Sequence, residues 1–171
     1  MRRPPKGTVI QHWPVFHPER MMAGQAIINL GAANPLQDLI LFNNSTDGTL
    51  LAVWDITISC MTGGTFTNNT FSVNLGVGKR PPAGTSGPQD PTLGGAPIGD
   101  GIMQVDTTTL GNVDTPYPCL KEPGPWQWPH DWPMFYLPSG FSLVCEANAL
   151  GIVGNIGIEL AVIWEWGVQL T

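Results

Sequence analysis

The sequence predicts an all-β protein, an antiparallel β-sandwich of jelly-roll-like form. Residues 156–171 alternate between apolar side chains and polar or small ones, which is typical of a strand with one buried face. Several shorter segments alternate in the same way and are separated by turn residues. The chain also contains 21 glycines and 17 prolines, a composition that disfavours helices.

Length and charge suggest one domain with a distinct N-terminal segment. The 171 residues fit a single β-sandwich domain over residues 26–171, preceded by an extended arm over residues 1–25. Residues 1–25 carry a net charge of +3 and the remainder carries −9. Only 12% of the residues are charged, which favours a surface packed against neighbouring molecules.

The arm is predicted to be extended because its prolines block helices and interior strands. Its apolar side chains favour a segment that lies on a surface, and its basic residues favour an acidic protein surface, another copy of this chain included. A solvated terminus is the alternative. The predicted partner-binding residues of the arm are Arg2, Arg3, Val9, Ile10, Trp13 and Phe16.

The first part of the body is predicted to form a hairpin and a third strand. Residues 36–42 and 49–61 flank the turn residues 43–48, and Leu50 and Trp54 are assigned to the buried parity of the second strand. Residues 71–77 alternate as a further half-buried strand.

Two long irregular stretches are predicted in the second part of the body. Proline and glycine leave no room for a regular element over residues 79–101, and prolines interrupt residues 111–133 in the same way. The strands predicted around these stretches cover residues 102–110, a hairpin of 134–137 with 141–146, and residues 156–170.

The second irregular stretch contains a tryptophan-rich loop. Exposed indoles can stack on sugar rings or anchor a protein partner, and a neighbouring carboxylate can bind sugar hydroxyls. Indoles that cap one end of the sandwich or contact another subunit are the favoured interpretation. The residues concerned are Trp126, Trp128, Asp131 and Trp132.

The sequence predicts no metal site, no cofactor site and no catalytic residue. The three histidines have no metal-ligand spacing, and no nucleophile motif is present. A carboxylate pair across a sheet is the remaining enzymatic option, with solvated carboxylates as the favoured interpretation. The candidates are Asp55, Glu146, Glu159 and Glu165.

Cysteines and targeting features give further expectations. Cys60, Cys119 and Cys145 are an odd number, and buried thiols are favoured over a bridge between Cys60 and Cys145. No signal peptide and no transmembrane helix is predicted. The acidic body argues against a nucleic acid partner, since phosphate contacts need clustered lysine and arginine.

Three runs of the body resemble a known class of proteins. They are LFNNSTDGTLLAVWDI over residues 41–56, LPSGFSLV over 137–144 and ELAVIWEW over 159–166. In style these runs are similar to the small β-sandwich virion proteins of tailed bacteriophages, of the capsid decoration or cement type.

This resemblance implies a non-enzymatic structural protein of the virion, made in the host cytoplasm. Its expected partners are the major capsid protein or other virion proteins, and its expected state is a homodimer or homotrimer. The resemblance also allows a tail or fibre-associated protein, which would bind host glycan through the tryptophan-rich loop.

Overall fold

The computed structural model of this protein describes residues 17–62, 71–78, 85–92, 96, 98–106, 115–116, 126–129, 133–149 and 154–169. Within these residues the chain forms a short 3-10 turn and twelve strands. The turn is Pro18–Arg20, and the strands are β1 Met21–Leu30, β2 Leu36–Phe42, β3 Leu50–Thr62, β4 Phe71–Gly78, β5 Thr85–Ser86, β6 Gln89–Pro91, β7 Ile102–Asp106, β8 Thr115–Pro116, β9 Trp126–Pro129, β10 Phe135–Leu137, β11 Ser142–Ala149 and β12 Ile156–Val168.

The strands form two antiparallel sheets. The first sheet has the order β10-β3-β12-β1-β6, and β9 also pairs with β3. The second sheet has the order β5-β7-β2-β11-β4-β8. Apolar side chains from both sheets meet in one buried cluster. The prediction of an all-β, antiparallel sandwich is therefore confirmed.

The alternation of the last strand accounts for much of this core. The five apolar residues of one parity from Ile156 to Trp164 are buried, and those between them are half-buried. Beyond Trp164 the alternation breaks, since Glu165 is buried and Trp166 is half-buried. The predicted buried face is thus confirmed as far as Trp164.

The strand pairs form a nested series. β1 pairs with β12, β2 with β11, β3 with β10, and β4 with β8. The first part of the chain therefore runs antiparallel to the last part as a two-stranded ribbon that passes from one sheet to the other. The remaining strands widen the sheets, with β6 beside β1, β7 beside β2 and β5 beside β7.

Neither predicted hairpin forms. β2 and β11 lie in the second sheet, whereas β3 and β10 lie in the first, so both turns are corners between sheets. The corners pack side by side: the Asn43 N–H donates to the Phe141 oxygen at 2.9 Å, and the Gly140 N–H donates to the Asn43 oxygen at 2.9 Å. The two strands that flank each turn therefore pair with strands distant in sequence and not with each other.

The predicted parity of β3 is wrong in its first half. Leu51 and Val53 are fully buried in the core, whereas Leu50 and Trp54 are only half-buried. Ile163 pairs with Asp55 but Trp164 pairs with Val53, which leaves Trp54 as an extra residue of β3. A bulge of this kind moves the residues beyond it to the opposite face of the sheet.

The stretch 79–101 is not wholly irregular, because it contains β5 and β6. The Gln25 N–H donates to the Pro88 oxygen at 3.0 Å, and the Gly87 N–H donates to the Met103 oxygen at 2.8 Å. These short strands occupy backbone groups that β1 and β7 would otherwise expose at their edges. The stretch 111–133 likewise contains β8 and β9, and its other residues up to 132 lie outside the described part of the chain.

The boundary between arm and body falls earlier than residue 25. Residues 21–25 form the first half of β1, a strand that the sequence analysis does not predict. Residues 18–20 form the short turn that precedes it. Residues 1–16, where the predicted partner-binding residues of the arm lie, are outside the described residues.

Both described cysteines are free thiols, and one of them is fully buried as expected. Cys145 is a free thiol, fully buried, and its burial raises the pKa of that thiol. Cys60 is half-buried and packs against the core from β3. Cys119 lies outside the described residues.

Candidate functional site

An open groove of about 400 Å³ crosses the outer face of the first sheet. One wall is formed by residues 88–90 at and before β6, and the other by Asp55 and Thr57 of β3. Ala23 of β1 and Ala161 of β12 lie between the walls. We call this feature the acidic groove.

Strand register explains why these residues come together. Ala23 pairs with Asp90 on one side and with Ile163 on the other, and Ile163 pairs with Asp55. Paired residues of antiparallel strands share a face, so these four side chains form one row across the sheet. Strands lie about 4.8 Å apart, which puts the backbones of Asp90 and Asp55 about 14 Å apart.

The next row continues the groove and approaches β9. Gln25 pairs with Ala161, Ala161 with Thr57, and Thr57 with Gln127. In a further row, Ile27 pairs with Glu159, and its side chain is 49% exposed. The floor of the groove therefore contains two alanines beside the larger Gln25 and Ile163, and the same face continues to the exposed side chain of Ile27.

The charge of this face is negative. Asp55, Asp90 and Glu159 all lie on it, in rows that contain no lysine or arginine among the described residues. Arg20 is the single lysine or arginine in the part of the chain that the structure describes. The acidic groove thus favours a cationic ligand or partner.

Glu165 lies one row beyond the groove and is only 2% exposed. Burial raises the pKa of its carboxyl, while His17, a hydrogen bond from Trp54 and the charge of Arg20 act in the opposite direction. Burial and the Glu165 charge raise the pKa of Tyr136.

The turn before β1 is fixed at this same end of the groove. The Arg20 guanidinium donates to the Gly167 oxygen at 3.2 Å and lies 5.9 Å from the centre of the Trp166 ring. The Glu165 carboxylate also accepts a hydrogen bond from the backbone of His17. Residues 1–16 are therefore connected to the body beside the acidic groove.

The outer face of the second sheet differs. Ile40 and Val144 pair with each other on that face, and both are buried although the core lies on the other side of the sheet. On the first sheet, Gln25 and Ile27 are exposed. Among the described residues, the outer face of the first sheet is thus the more open one.

The predicted site residues fall largely outside this region. Trp126 and Trp128 belong to β9, where their backbones pair with Ile58 and Ile56 of β3. Asp131 and Trp132, like the arm residues, are outside the described residues.

The candidate carboxylates divide between the two sheets. Asp55, Glu159 and Glu165 are on the outer face of the first sheet, whereas Glu146 is on β11 of the second and accepts a 3.4 Å hydrogen bond from Asn74. No group of three or more metal-ligating side chains occurs in the described ranges.

The sequence analysis does not identify the groove. It assigns Ala23 and Gln25 to the arm and Asp90 to a loop, so their common face is not apparent. The available signal is the alternation over residues 21–30, where Met22, Ala26 and Ile28 share the buried parity. The prolines that precede this alternation conceal it.

Comparison with protein-family models, with curated proteins and with solved structures finds no match to this chain. Among the described residues, no helix has the length and apolar character needed to span a bilayer.

Proposed function

We propose that the sandwich is a jelly roll. A jelly roll can be described as a long antiparallel ribbon wound into two sheets, in which the first strand pairs with the last and the second with the next to last. The nested pairs β1 with β12, β2 with β11, β3 with β10 and β4 with β8 support this assignment. The strands β5, β6 and β7 are then an insertion between the two halves of the ribbon.

We further propose that the chain is a non-enzymatic structural subunit of a phage virion, a head decoration or cement protein. The observation that carries this proposal is the open acidic groove on a body whose N-terminal arm is basic and apolar. Such a chain has two complementary surfaces for assembly. The low content of charged residues and the resemblance to phage virion proteins support the same function.

The mechanism follows from mass action. A subunit that binds only the assembled shell stabilises it by the free energy of binding, and many copies act together. Arm contacts suit this role because an extended segment buries apolar surface on a neighbour while the sandwich keeps its own core.

Deletion of residues 1–16 tests the proposal. The truncation ends before the turn at Pro18–Arg20 so that β1 and the contacts of Arg20 are retained. We expect the truncated protein to fold, as judged by circular dichroism, but no longer to co-sediment with purified particles. A control in which residues 1–16 are replaced by a Gly/Ser segment of equal length should also fail to bind. Truncated protein that co-sediments like the full chain would contradict the proposal.

A tail or fibre-associated protein that binds host glycan is the second candidate. Its support is the resemblance to such proteins, since on β9 the partners of the groove residues Asp55 and Thr57 are Pro129 and Gln127. Trp126 and Trp128 pair instead with the buried Ile58 and Ile56. A glycan array with the wild-type chain and the Trp128→Ala variant distinguishes the two functions. Sugar binding that Trp128→Ala abolishes would support this candidate over the decoration protein.

A further inference from the structure

We propose that the acidic groove is the docking site for the N-terminal arm of a second copy of this chain. Copies would then be joined arm to groove. This inference rests on the proposed function to the extent that the chain acts in an assembly, and it adds the surface through which its copies associate.

Charge complementarity is the first argument. Residues 1–16 contain three basic residues, Arg2, Arg3 and Lys6, and no acidic residue. The outer face of the first sheet presents Asp55, Asp90 and Glu159. Opposite charges on the two surfaces accelerate encounter and select the orientation of docking.

Shape is the second argument. Two alanines of the floor, Ala23 and Ala161, leave space between the walls, bordered by Gln25 and Ile163, in which a polypeptide segment can lie against the sheet. Prolines at positions 4, 5 and 14 disfavour a helix in residues 1–16 and have no N–H donors. An extended, proline-containing segment fits a shallow open groove better than a helix would.

The apolar part of the arm also has a counterpart. Ile27 lies two rows beyond Ala23 on the same face and is 49% exposed. The basic end of the arm is followed by Val9 and Ile10. Burial of Ile27 against such residues would remove exposed apolar surface from both molecules.

The reach of the arm favours a neighbour over its own groove. Lys6 lies eleven positions before His17, which corresponds to at most about 36–40 Å of extended chain. Ala23 and Gln25 are only two and four residues into β1, within about 14 Å of its start. A fully extended arm would therefore have its basic residues beyond its own groove and within reach of another molecule.

An arm-to-groove contact is heterologous, because the two surfaces differ. Reciprocal exchange between two copies gives a dimer, and head-to-tail exchange gives a closed ring such as a trimer. Either arrangement leaves each arm and each groove occupied.

Complementation between two full-length variants tests the inference. The arm variant carries Arg2→Glu and Arg3→Glu and has an intact groove. The groove variant carries Thr57→Lys and Asp90→Lys, one on each wall, and has an intact arm. A control variant carries Ser72→Lys and Glu146→Lys, the same change in charge on the outer face of the second sheet.

We expect the wild-type and control chains to associate in sedimentation velocity experiments, and each of the first two variants alone to associate roughly tenfold or more weakly. An equimolar mixture of the two variants should restore association, since one supplies the groove and the other the arm. Added salt should weaken association of the wild-type chain because it screens the charges. Near-ultraviolet circular dichroism verifies that every variant is folded.

A wild-type chain that stays monomeric at all concentrations, an arm variant that associates like wild type, or a mixture that fails to associate would each overturn the inference. None of these results concerns binding to particles, which the deletion of residues 1–16 tests separately. Loss of particle binding on deletion, together with a monomeric wild-type chain, would leave the decoration function standing and refute arm-to-groove docking alone.

Discussion

Asn43 joins the two corners of the fold through a fully buried side chain. Its amide group donates to the Thr49 oxygen at 2.9 Å and to the Leu137 oxygen at 2.8 Å, and its Oδ1 accepts from the Ser45 N–H at 3.0 Å. Removal of this side chain would leave buried backbone groups without partners, which costs more free energy than a hydrogen bond contributes when both partners are exposed.

Replacement Asn43→Ala should therefore lower the free energy of unfolding by about 2–4 kcal/mol, measured by urea denaturation. The neighbouring Asn44 provides a control because it is exposed and its Oδ1 accepts one bond, from the Gly101 N–H at 2.7 Å. Asn44→Ala should cost less, about 1 kcal/mol, since it removes the partner of one backbone group where Asn43→Ala removes the partners of three. Equal losses for the two variants would contradict this account of the corner.

Asp47 organises the same turn from its exposed side. Its Oδ1 accepts hydrogen bonds from the Ser45 hydroxyl at 2.5 Å, the Thr49 hydroxyl at 2.8 Å and the Thr49 N–H at 3.0 Å. Hydrogen bonds from Ser45 and Thr49 lower the pKa of Asp47 to about 2. These hydrogen bonds favour the ionised carboxylate. As the pH falls, Asp47 is therefore protonated at a higher pH in the unfolded chain than in the folded one.

This pKa predicts a loss of stability in acid. The contribution of Asp47 is fully present above its ordinary pKa of 3.8 and is lost as the pH falls from there through about 2. Urea midpoints measured between pH 5 and pH 2 should fall less steeply for Asp47→Asn than for the wild-type chain in that window. Identical slopes would show that the turn does not depend on the carboxylate.

At the scale of elements, the segment 98–101 closes over the end of β12. The Trp164 indole N–H donates to the Asp100 oxygen at 2.9 Å, and Gly101 has a φ of +107°. A Cβ at Gly101 would lie 2.3 Å from the Trp164 Nε1, and one at Gly99 would lie 2.1 Å from the Trp166 ring. Glycine is required at position 101 by both its backbone conformation and this close approach.

The variant Gly101→Ala should lose about 3 kcal/mol of stability through steric overlap with Trp164 and unfavourable φ. Gly140→Ala is the matched control: its φ is +79°, and nothing lies within 4 Å of the added Cβ. The control should lose only about 1 kcal/mol. Thermal unfolding followed by tryptophan fluorescence measures both, and a Gly140→Ala loss as large as that of Gly101→Ala would refute the steric argument.

Alternation identified elements well where one face is uniformly buried. β12 follows its predicted parity to Trp164, and the inward residues of β4 include Val73 and Leu75 as expected. Alternation failed at the Trp54 bulge, because the extra residue is defined by the partner strand and has no local signature. β1 was not predicted, because the prolines before it led residues 21–25 to be assigned to the arm.

At the scale of the whole molecule, the sequence predicts a two-sheet sandwich but does not predict which strands pair. The turns around residues 43–48 and 138–140 contain the residues expected of hairpins, yet each connects strands of different sheets. Strand pairing is determined by contacts between residues far apart in sequence, such as those of β2 with β11. The residues of a turn do not indicate such contacts. The acidic groove depends on four such strands, so it could not be assigned from the sequence.

The place of β12 in the first sheet has a consequence for biosynthesis. It lies between β3 and β1, and both depend on it for pairing. During translation, residues 21–30 must wait until residues 156–168 leave the ribosome before this sheet can close. If arms dock in grooves as proposed, the arm of a nascent chain is made before the groove that would bind it is complete, which would keep nascent chains on one messenger RNA from associating prematurely.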